Sequence, residues 1–146
     1  MQTFLPYPDF TDSAIVLDRQ RLGKQRVETK QILQANIGVS RGWVNHPASR
    51  MWKGHEIALA NYGIAICVEW RSRGYKDTLL PWFDQLADLM LLHGDTPDTL
   101  PPWLGNEEFH ASHRSKLLAK KPDWYSQFDW TETPDMPYVW PVNEPS

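Results

Sequence analysis

Apolar residues in the first third of the chain recur at helical spacing, and polar residues intrude on the same face. At about 100° per residue, Ile15, Leu22, Thr29 and Leu33 fall on one stripe, the one that should face a core. Asp18, Arg21 and Gln25 land on that stripe too, where an amphipathic helix normally carries no such groups. Left unpaired in a core they would be strongly destabilising. The pattern therefore predicts either a structural Asp–Arg pair or a polar pocket cut into a helical core.

Residues 1–10, with Pro6 and Pro8, read as an extended arm. Thr11 or Asp12 is the expected N-cap of a first long helix running to about Asn36. Gly38 and Gly42 bracket a loop, and Pro47 opens a second long helix ending at Gly74. Its core stripe is Met51, His55, Leu59, Tyr62, Ile66, Glu69 and Arg73, so polar groups again occupy core positions, and Gly63 is where another helix can approach closely. A shorter third helix follows Pro81 and stops at Gly94. The Pro-rich stretch 94–105 is long for a connector and is expected to shape a site or lid. A fourth helix should run from about Asn106 to Lys120, stopped before Pro122. Residues 122–146, rich in aromatics and prolines, should wrap irregularly over the helices, with the last few fraying. No segment alternates with period two and none repeats. The expectation is an all-α, compact single-domain fold over residues 1–146.

Composition narrows the function classes. With 146 residues, 41% of them hydrophobic, and eight Trp, a packed interior is expected and global disorder is not. The single cysteine, Cys67, rules out an internal disulfide framework and a Cys-rich zinc site, and its apolar surroundings suit a small buried hydrophobe. No apolar stretch approaches the ~20 residues that span a bilayer, and the chain start lacks a basic-then-apolar signal pattern. A cytoplasmic monomer with no membrane partner is expected.

The formal net charge of −3 hides an asymmetry. Residues 1–76 carry eleven Lys/Arg against six Asp/Glu, whereas residues 77–146 carry four against twelve. Phosphate binding depends on a local basic face and not on the total. Lys24, Arg26, Arg50, Lys53 and Lys120 are the candidate contacts to a nucleic-acid backbone; the other reading is a solvated basic surface balanced by an acidic tail.

His110 and His113 share one helix face with Glu107 a turn earlier, a spacing that can ligate metals. A zinc site needs at least three protein ligands, so no metal and no cofactor is expected. One imidazole is instead assigned to an internal hydrogen bond and the other, with Arg114, to an anionic ligand. Trp43, Trp52, Trp103, Trp124, Tyr125 and Trp130 exceed the needs of a small core. They either cover short helices or, beside basic groups, stack nucleobases. A Gly-rich phosphate loop, a Gly-x-Ser-x-Gly elbow and a dinucleotide fingerprint are all lacking.

Four segments together carry a resemblance: Leu17-Asp-Arg-Gln-Arg-Leu-Gly-Lys-Gln-Arg-Val-Glu28, Asn45-His-Pro47, Glu69-Trp-Arg-Ser-Arg-Gly-Tyr75 and Lys116-Leu-Leu-Ala-Lys-Lys-Pro-Asp-Trp-Tyr125. In their order, over roughly residues 1–130, the chain resembles the pyrimidine-dimer DNA glycosylase family typified by a phage endonuclease V, and most closely a bacterial and phage branch of it. The resemblance implies a compact all-helical domain that cuts the N-glycosidic bond of a dimerised pyrimidine. The family's nucleophile is the N-terminal α-amine, and a helix-borne Glu is its charged partner. An α-amine is a weaker base than a lysine, so it attacks a sugar carbon and forms a Schiff base near neutral pH. The family nucleophile is a small residue exposed by Met removal; Gln2 is not small, so the implied amine here is that of Met1. An ungapped match sets Arg21 near the family's Glu, leaving Asp18, Glu28 and Glu69 as the available carboxylates.

Two functions follow. The first is a DNA glycosylase, with or without lyase activity, acting on a damaged or modified pyrimidine. Met1, Asp18, Arg21 and Glu69 would carry catalysis, and Gln25, Glu28, His46, His55, Tyr62, His110, His113 and Arg114 would contact substrate. The second is a non-catalytic protein that keeps the pocket and binds a nucleotide, a modified base or nucleic acid. Trapping of a covalent adduct on damaged DNA separates them.

Overall fold

The computed structural model describes residues 1–94 and 96–142. Seven α-helices follow in chain order, and no strand occurs among the described residues. They are α1 (Phe10–Val16), α2 (Arg19–Asn36), α3 (Pro47–Arg50), α4 (Glu56–Ser72), α5 (Leu80–His93), α6 (Glu107–Lys120) and α7 (Pro122–Tyr125), with a 3-10 turn at Ser126–Phe128. The all-α expectation holds. The two long helices do not run through: each is interrupted.

The first interruption lies at Leu17 and Asp18, both extended, between α1 and α2. No Pro or Gly marks it, because partners distant in sequence make it. Trp124 Nε1 donates to Val16 O at 2.8 Å, Arg73 donates to Ile15 O at 3.0 Å, and the Tyr125 hydroxyl accepts from Asp18 N–H at 3.0 Å. These bonds satisfy carbonyls and an N–H that a continuous helix would have used internally. The break also moves Ile15 off the expected core stripe, to 50% exposure. The helix start shifts as well: Asp9 is the N-cap, accepting from Asp12 N–H at 2.8 Å, where Thr11 or Asp12 was expected.

The second interruption separates α3 from α4. Gly54 sits there at φ +87°, a conformation open to glycine and costly for other residues. Trp52, fully buried just before it, donates from Nε1 to Thr3 Oγ1 at 3.0 Å.

One core joins the helices, with α4 packed against α1, α2 and α5. Gly63 of α4 admits Phe83 of α5 so closely that a Cβ would stand 2.6 Å from the Phe83 ring, as the sequence suggested. The α5 N-terminus is held by Asp77, whose carboxylate accepts from Leu80 N–H at 2.8 Å and Leu79 N–H at 3.2 Å. Burial alone would raise the Asp77 pKa, but these bonds and the Arg26 guanidinium outweigh it and hold it below the usual range. Cys67 is buried, and burial followed by the Asp77 charge pushes its thiol up to about 12. α6 begins where expected, with Asn106 as its N-cap, accepting from Phe109 N–H at 3.0 Å.

Beyond α7 the tail lies along α6. Asp135 N–H bonds to Ser115 O at 3.1 Å, Val139 N–H to Ser112 Oγ at 3.1 Å, and Lys116 to Asp135 at 2.9 Å. This is the irregular wrap that its composition suggested; the fraying expected of the last residues concerns positions outside the described ones. Among the described residues no helix is long and apolar enough to cross a membrane.

Candidate active site

The N-terminal arm is extended as expected, but it threads the interior. Gln2, Thr3, Phe4 and Leu5 are buried. An extended segment with no neighbouring strand must satisfy its backbone groups with side chains. Gln25 of α2 does so as a strand would: its Oε1 accepts from Phe4 N–H at 2.9 Å and its Nε2 donates to Gln2 O at 2.7 Å. The Tyr62 hydroxyl from α4 lies 2.7 Å from Phe4 O and 2.8 Å from Gln25 Oε1. Farther along, His113 Nδ1 accepts from Leu5 N–H at 2.8 Å, and His110 Nδ1 lies 2.8 Å from Leu5 O. His110 Nε2 accepts from Gly105 N–H at 2.9 Å, and Arg114 donates to Pro6 O at 2.7 Å.

These contacts place three of the expected substrate-contact residues, His110, His113 and Arg114, against the arm. His110, His113 and Arg114 are buried and grip the arm from α6, so they present no open face to a ligand. Both imidazoles must be neutral to accept these N–H groups. Burial is the main cause that holds each pKa down, for His113 to about 3. Arg114 is also paired with Glu107 and Glu132, which keep its guanidinium firmly charged despite the burial that opposes it.

The arm delivers its end to a cavity of about 250 Å³. Met1, Gln2 and Phe4 form one side; Gln20, Arg21, Lys24, Gln25 and Glu28 of α2 form another; Lys120 and Tyr138 close it. Glu28 Oε2 accepts from Gln2 N–H and from Gln25 Nε2, each at 3.3 Å. Arg21 reaches the rim and pairs with Asp18 at 3.2 Å. Lys24 and Lys120 stand exposed at the mouth. Burial is the main cause that pushes the Tyr138 phenol up to about 12, with Glu28 adding to it and Arg21 opposing.

His46 stands within reach of the same charges. Its Nδ1 accepts from Ala48 N–H at 3.0 Å, capping α3 and leaving the proton on Nε2. Burial first, then the positive N-terminus, lower its pKa, while Glu28 pulls the other way. Met1, a carboxylate, an aromatic wall and basic side chains thus line one small space. The volume falls just below the roughly 300–1,000 Å³ usual for ligand pockets.

Several predicted residues do not line this cavity. Asp18 is buried among fold contacts, with the Tyr125 hydroxyl on its Oδ1 and Arg21 on its Oδ2. Glu69 accepts from Arg73 Nε at 2.9 Å and so aims the guanidinium that caps α1. His55 meets the Pro-rich stretch, 3.3 Å from Thr99 O. Most of that stretch is exposed, anchored by buried Pro101 and Trp103, whose Nε1 donates to Met51 O at 3.0 Å, and none of its described residues lines the cavity. Tyr62 supports the arm from behind. Arg26 pairs with Asp77 at 2.6 Å and stacks over Trp70, while Arg50 and Lys53 line a separate cavity with Asn36. Gln2, Phe4, Gln20 and Tyr138 were missed. Of these only Tyr138 left a signal, the density of aromatics in the tail. Among the described residues no group of three or more His, Cys, Asp or Glu is placed to hold a metal ion.

The architecture is a helical domain whose own N-terminus is carried through the core to a cationic, carboxylate-bearing cavity. A family model described as pyrimidine dimer DNA glycosylase matches residues 1–81, which include the arm, α2 and every cavity residue except Lys120 and Tyr138. The chain belongs to the pyrimidine dimer DNA glycosylase family. No curated protein and no solved structure matches it significantly.

Proposed function

We propose that this protein removes a dimerised pyrimidine from DNA, with the Met1 α-amine as nucleophile and Glu28 as its carboxylate partner. The observation that carries the reading is the shared cavity: Met1 lines it, and Glu28 accepts from the N–H of the next residue. Glu28, and not Asp18 or Glu69, is the carboxylate beside the chain's amine end.

In the proposed reaction the neutral amine attacks C1′ of the damaged nucleotide. The C1′–N bond forms as the glycosidic bond breaks, and the base departs with the bonding pair and takes a proton. Glu28 stabilises the positive charge that develops on the sugar and shuttles the amine's proton. Ring opening gives an iminium, which water hydrolyses to an abasic site. Loss of the C2′ proton from that iminium gives β-elimination and strand cleavage, the lyase outcome. Lys24, Lys120 and Arg21 supply phosphate contacts, so DNA retention should fall as salt rises.

The test incubates the protein with ultraviolet-irradiated and undamaged duplex DNA, with and without borohydride. The expected result is an irreversible protein–DNA adduct only with irradiated DNA and borohydride, lost when the α-amine is blocked by reductive methylation. Salt-sensitive DNA retention with neither adduct nor abasic product overturns the reaction and leaves a binding protein.

A further inference from the structure

The tail that walls the Met1–Glu28 cavity goes on to wall a second one. Tyr138 lines the first. Val142, four residues and so at most about 14 Å farther along the chain, lines a cavity of about 310 Å³ with Asn36, Val44, Arg50 and Lys53. Arginines elsewhere are paired: Arg21, Arg26, Arg71, Arg73 and Arg114 each meet a carboxylate. Arg50 is in none of these pairs, and its Nη1 is buried with no hydrogen-bond partner among the described residues. A guanidinium partly taken out of water without a partner is destabilising, which points to an anionic ligand. The surroundings are already fixed. Asn36 Nδ2 donates to Ser49 O at 2.9 Å, tying the end of α2 to α3, and Lys53 Nζ donates to Asn36 O at 2.9 Å. That bond satisfies a carbonyl at the α2 end and uses one of the three ammonium donors. The cavity thus presents a planar fork and a point charge on a rigid base, a combination that suits a phosphate.

We propose that the Arg50–Lys53 cavity binds one backbone phosphate of the damaged strand and thereby decides which of the two joined pyrimidines is cut from its sugar. This rests on the glycosylase reading above. A covalently joined pair offers two C1′ atoms to a single amine, so the choice between them needs a contact outside the lesion. Phosphate contacts fix register and orientation without reading the bases. At about 3.4 Å of rise per nucleotide, 14 Å corresponds to about four nucleotides. The anchored phosphate then lies beyond the pair, yet near enough that a slip of one nucleotide brings the other sugar to Met1. The pair stays within its strand in this arrangement, and no base has to enter either cavity. Arg21, Lys24 and Lys120 line the reacting cavity and attract the phosphates of both sugars alike. Arg50 and Lys53, in a cavity of their own to one side, supply the asymmetry.

The test uses duplexes with one site-specific pyrimidine dimer and a single uncharged methylphosphonate, placed in turn at each phosphate flanking the dimer on its strand. Binding is read with the α-amine blocked by reductive methylation. It should weaken about tenfold at one position outside the dimer, the worth of one charge-assisted contact. Arg50→Gln should bind the unmodified duplex about tenfold more weakly and lose nothing further at that position, a coupling that a merely structural arginine would not show. Arg50→Lys, which keeps the charge without the fork, should fall between. Arg50→Gln should melt no lower than wild type, since it removes an unpaired buried charge. With the amine free and borohydride present, the wild type should trap at one of the two sugars and Arg50→Gln at both. Inorganic phosphate separates the other source of the same chemistry: if it shifts the Arg50 side-chain resonances while no methylphosphonate position matters, the cavity takes free phosphate and the proposal is overturned. Additive losses in Arg50→Gln, or trapping at a single sugar in that variant, overturn it too, while wild-type adduct formation leaves the glycosylase reading standing. A wild type that forms no adduct and shows no sensitive phosphate overturns both.

Discussion

Two carboxylates of one helix, Asp18 at the N-cap of α2 and Glu28 midway along it, meet different fates. Asp18 is spent on architecture: the Tyr125 hydroxyl binds one oxygen, Arg21 binds the other, and its N–H is held by Tyr125 in turn. Around it Trp124 and Arg73 close the carbonyls that the break in the helix frees. Glu28, nearly three turns on, is held only by two long bonds of 3.3 Å and faces a cavity that also contains the chain's first residue. Burial does not distinguish a structural carboxylate from a chemical one as well as the saturation of its oxygens does. Asp18 is the more deeply buried and the less available.

The largest expected effect sets these two against each other. Glu28→Gln should lower the rate of borohydride trapping by about 10²–10⁴-fold, the usual contribution of a positioned acid–base group, with little change in the urea midpoint. Asp18→Asn should do the reverse, costing about 1–3 kcal/mol of stability while the folded fraction traps DNA at nearly the wild-type rate. Both are measured on the same preparations by denaturation and single-turnover trapping. If Asp18→Asn abolishes chemistry at full stability, the assignment is inverted.

The sequence showed that polar groups lie on a core-facing stripe, and that much was correct: Asp18 and Gln25 are buried and Arg21 is partly so. It could not show that the stripe serves three purposes. Gln25 with Tyr62 holds the arm and also lines the cavity, Asp18 with Tyr125 holds the helix break, and Arg21 opens on the cavity beside Glu28. The division depends on residues up to 108 positions away, such as Trp124 on Val16, which helical periodicity cannot register. The second break, at Gly54, went unread because the apolar pattern on either side of it argued for one helix from Pro47 to Gly74. His110 and His113 were recognised as a pair on one face, but the partner of that face is the arm's backbone. A backbone partner leaves no residue-type signature.

The arm offers the next largest effect, because acid should loosen it before it touches the Asp18 cluster. His113 is neutral and fully buried in the folded protein, with its pKa held down to about 3 against an ordinary value of 6.5. The unfolded chain therefore binds more protons than the folded one between those values. The stabilisation is complete above about pH 6.5 and declines below it, by up to about 1.4 kcal/mol per pH unit for one proton, until the folded imidazole itself titrates. His110 shifts in the same direction and adds to the loss. Hydrogen exchange at the Leu5 amide should accelerate below pH 6.5 ahead of exchange at the Asp18 amide. Simultaneous acceleration at both sites would show that the arm and the break open as one unit.

Tyr125→Phe tests the architectural side without changing any charge. It removes the hydroxyl that serves both Asp18 N–H and Asp18 Oδ1, and should cost about 1–3 kcal/mol in urea denaturation. Burial, then the bond to Asp18, hold the Tyr125 phenol far above its ordinary value, so the hydroxyl stays protonated throughout the working range and the loss should not depend on pH near neutrality. Trapping by the folded protein should be unchanged, since neither residue lines the cavity.

The smallest effect belongs to Glu69, the other carboxylate once weighed for chemistry. Its partner Arg73 is 19% exposed and Glu69 itself 20%, so solvent screens the pair and its direct worth is about 0–1 kcal/mol. Its further role is to aim Arg73 at Ile15 O, an exposed carbonyl that water can serve instead. Glu69→Gln keeps an acceptor within reach of Arg73 and should shift the urea midpoint barely beyond error, with the trapping rate unchanged. Glu69→Ala should lose slightly more, because Arg73 then swings free of the α1 end. A large fall in trapping for Glu69→Gln at wild-type stability would show that the carboxylate reaches the reacting sugar from α4, and that the Met1–Glu28 cavity holds something other than the substrate.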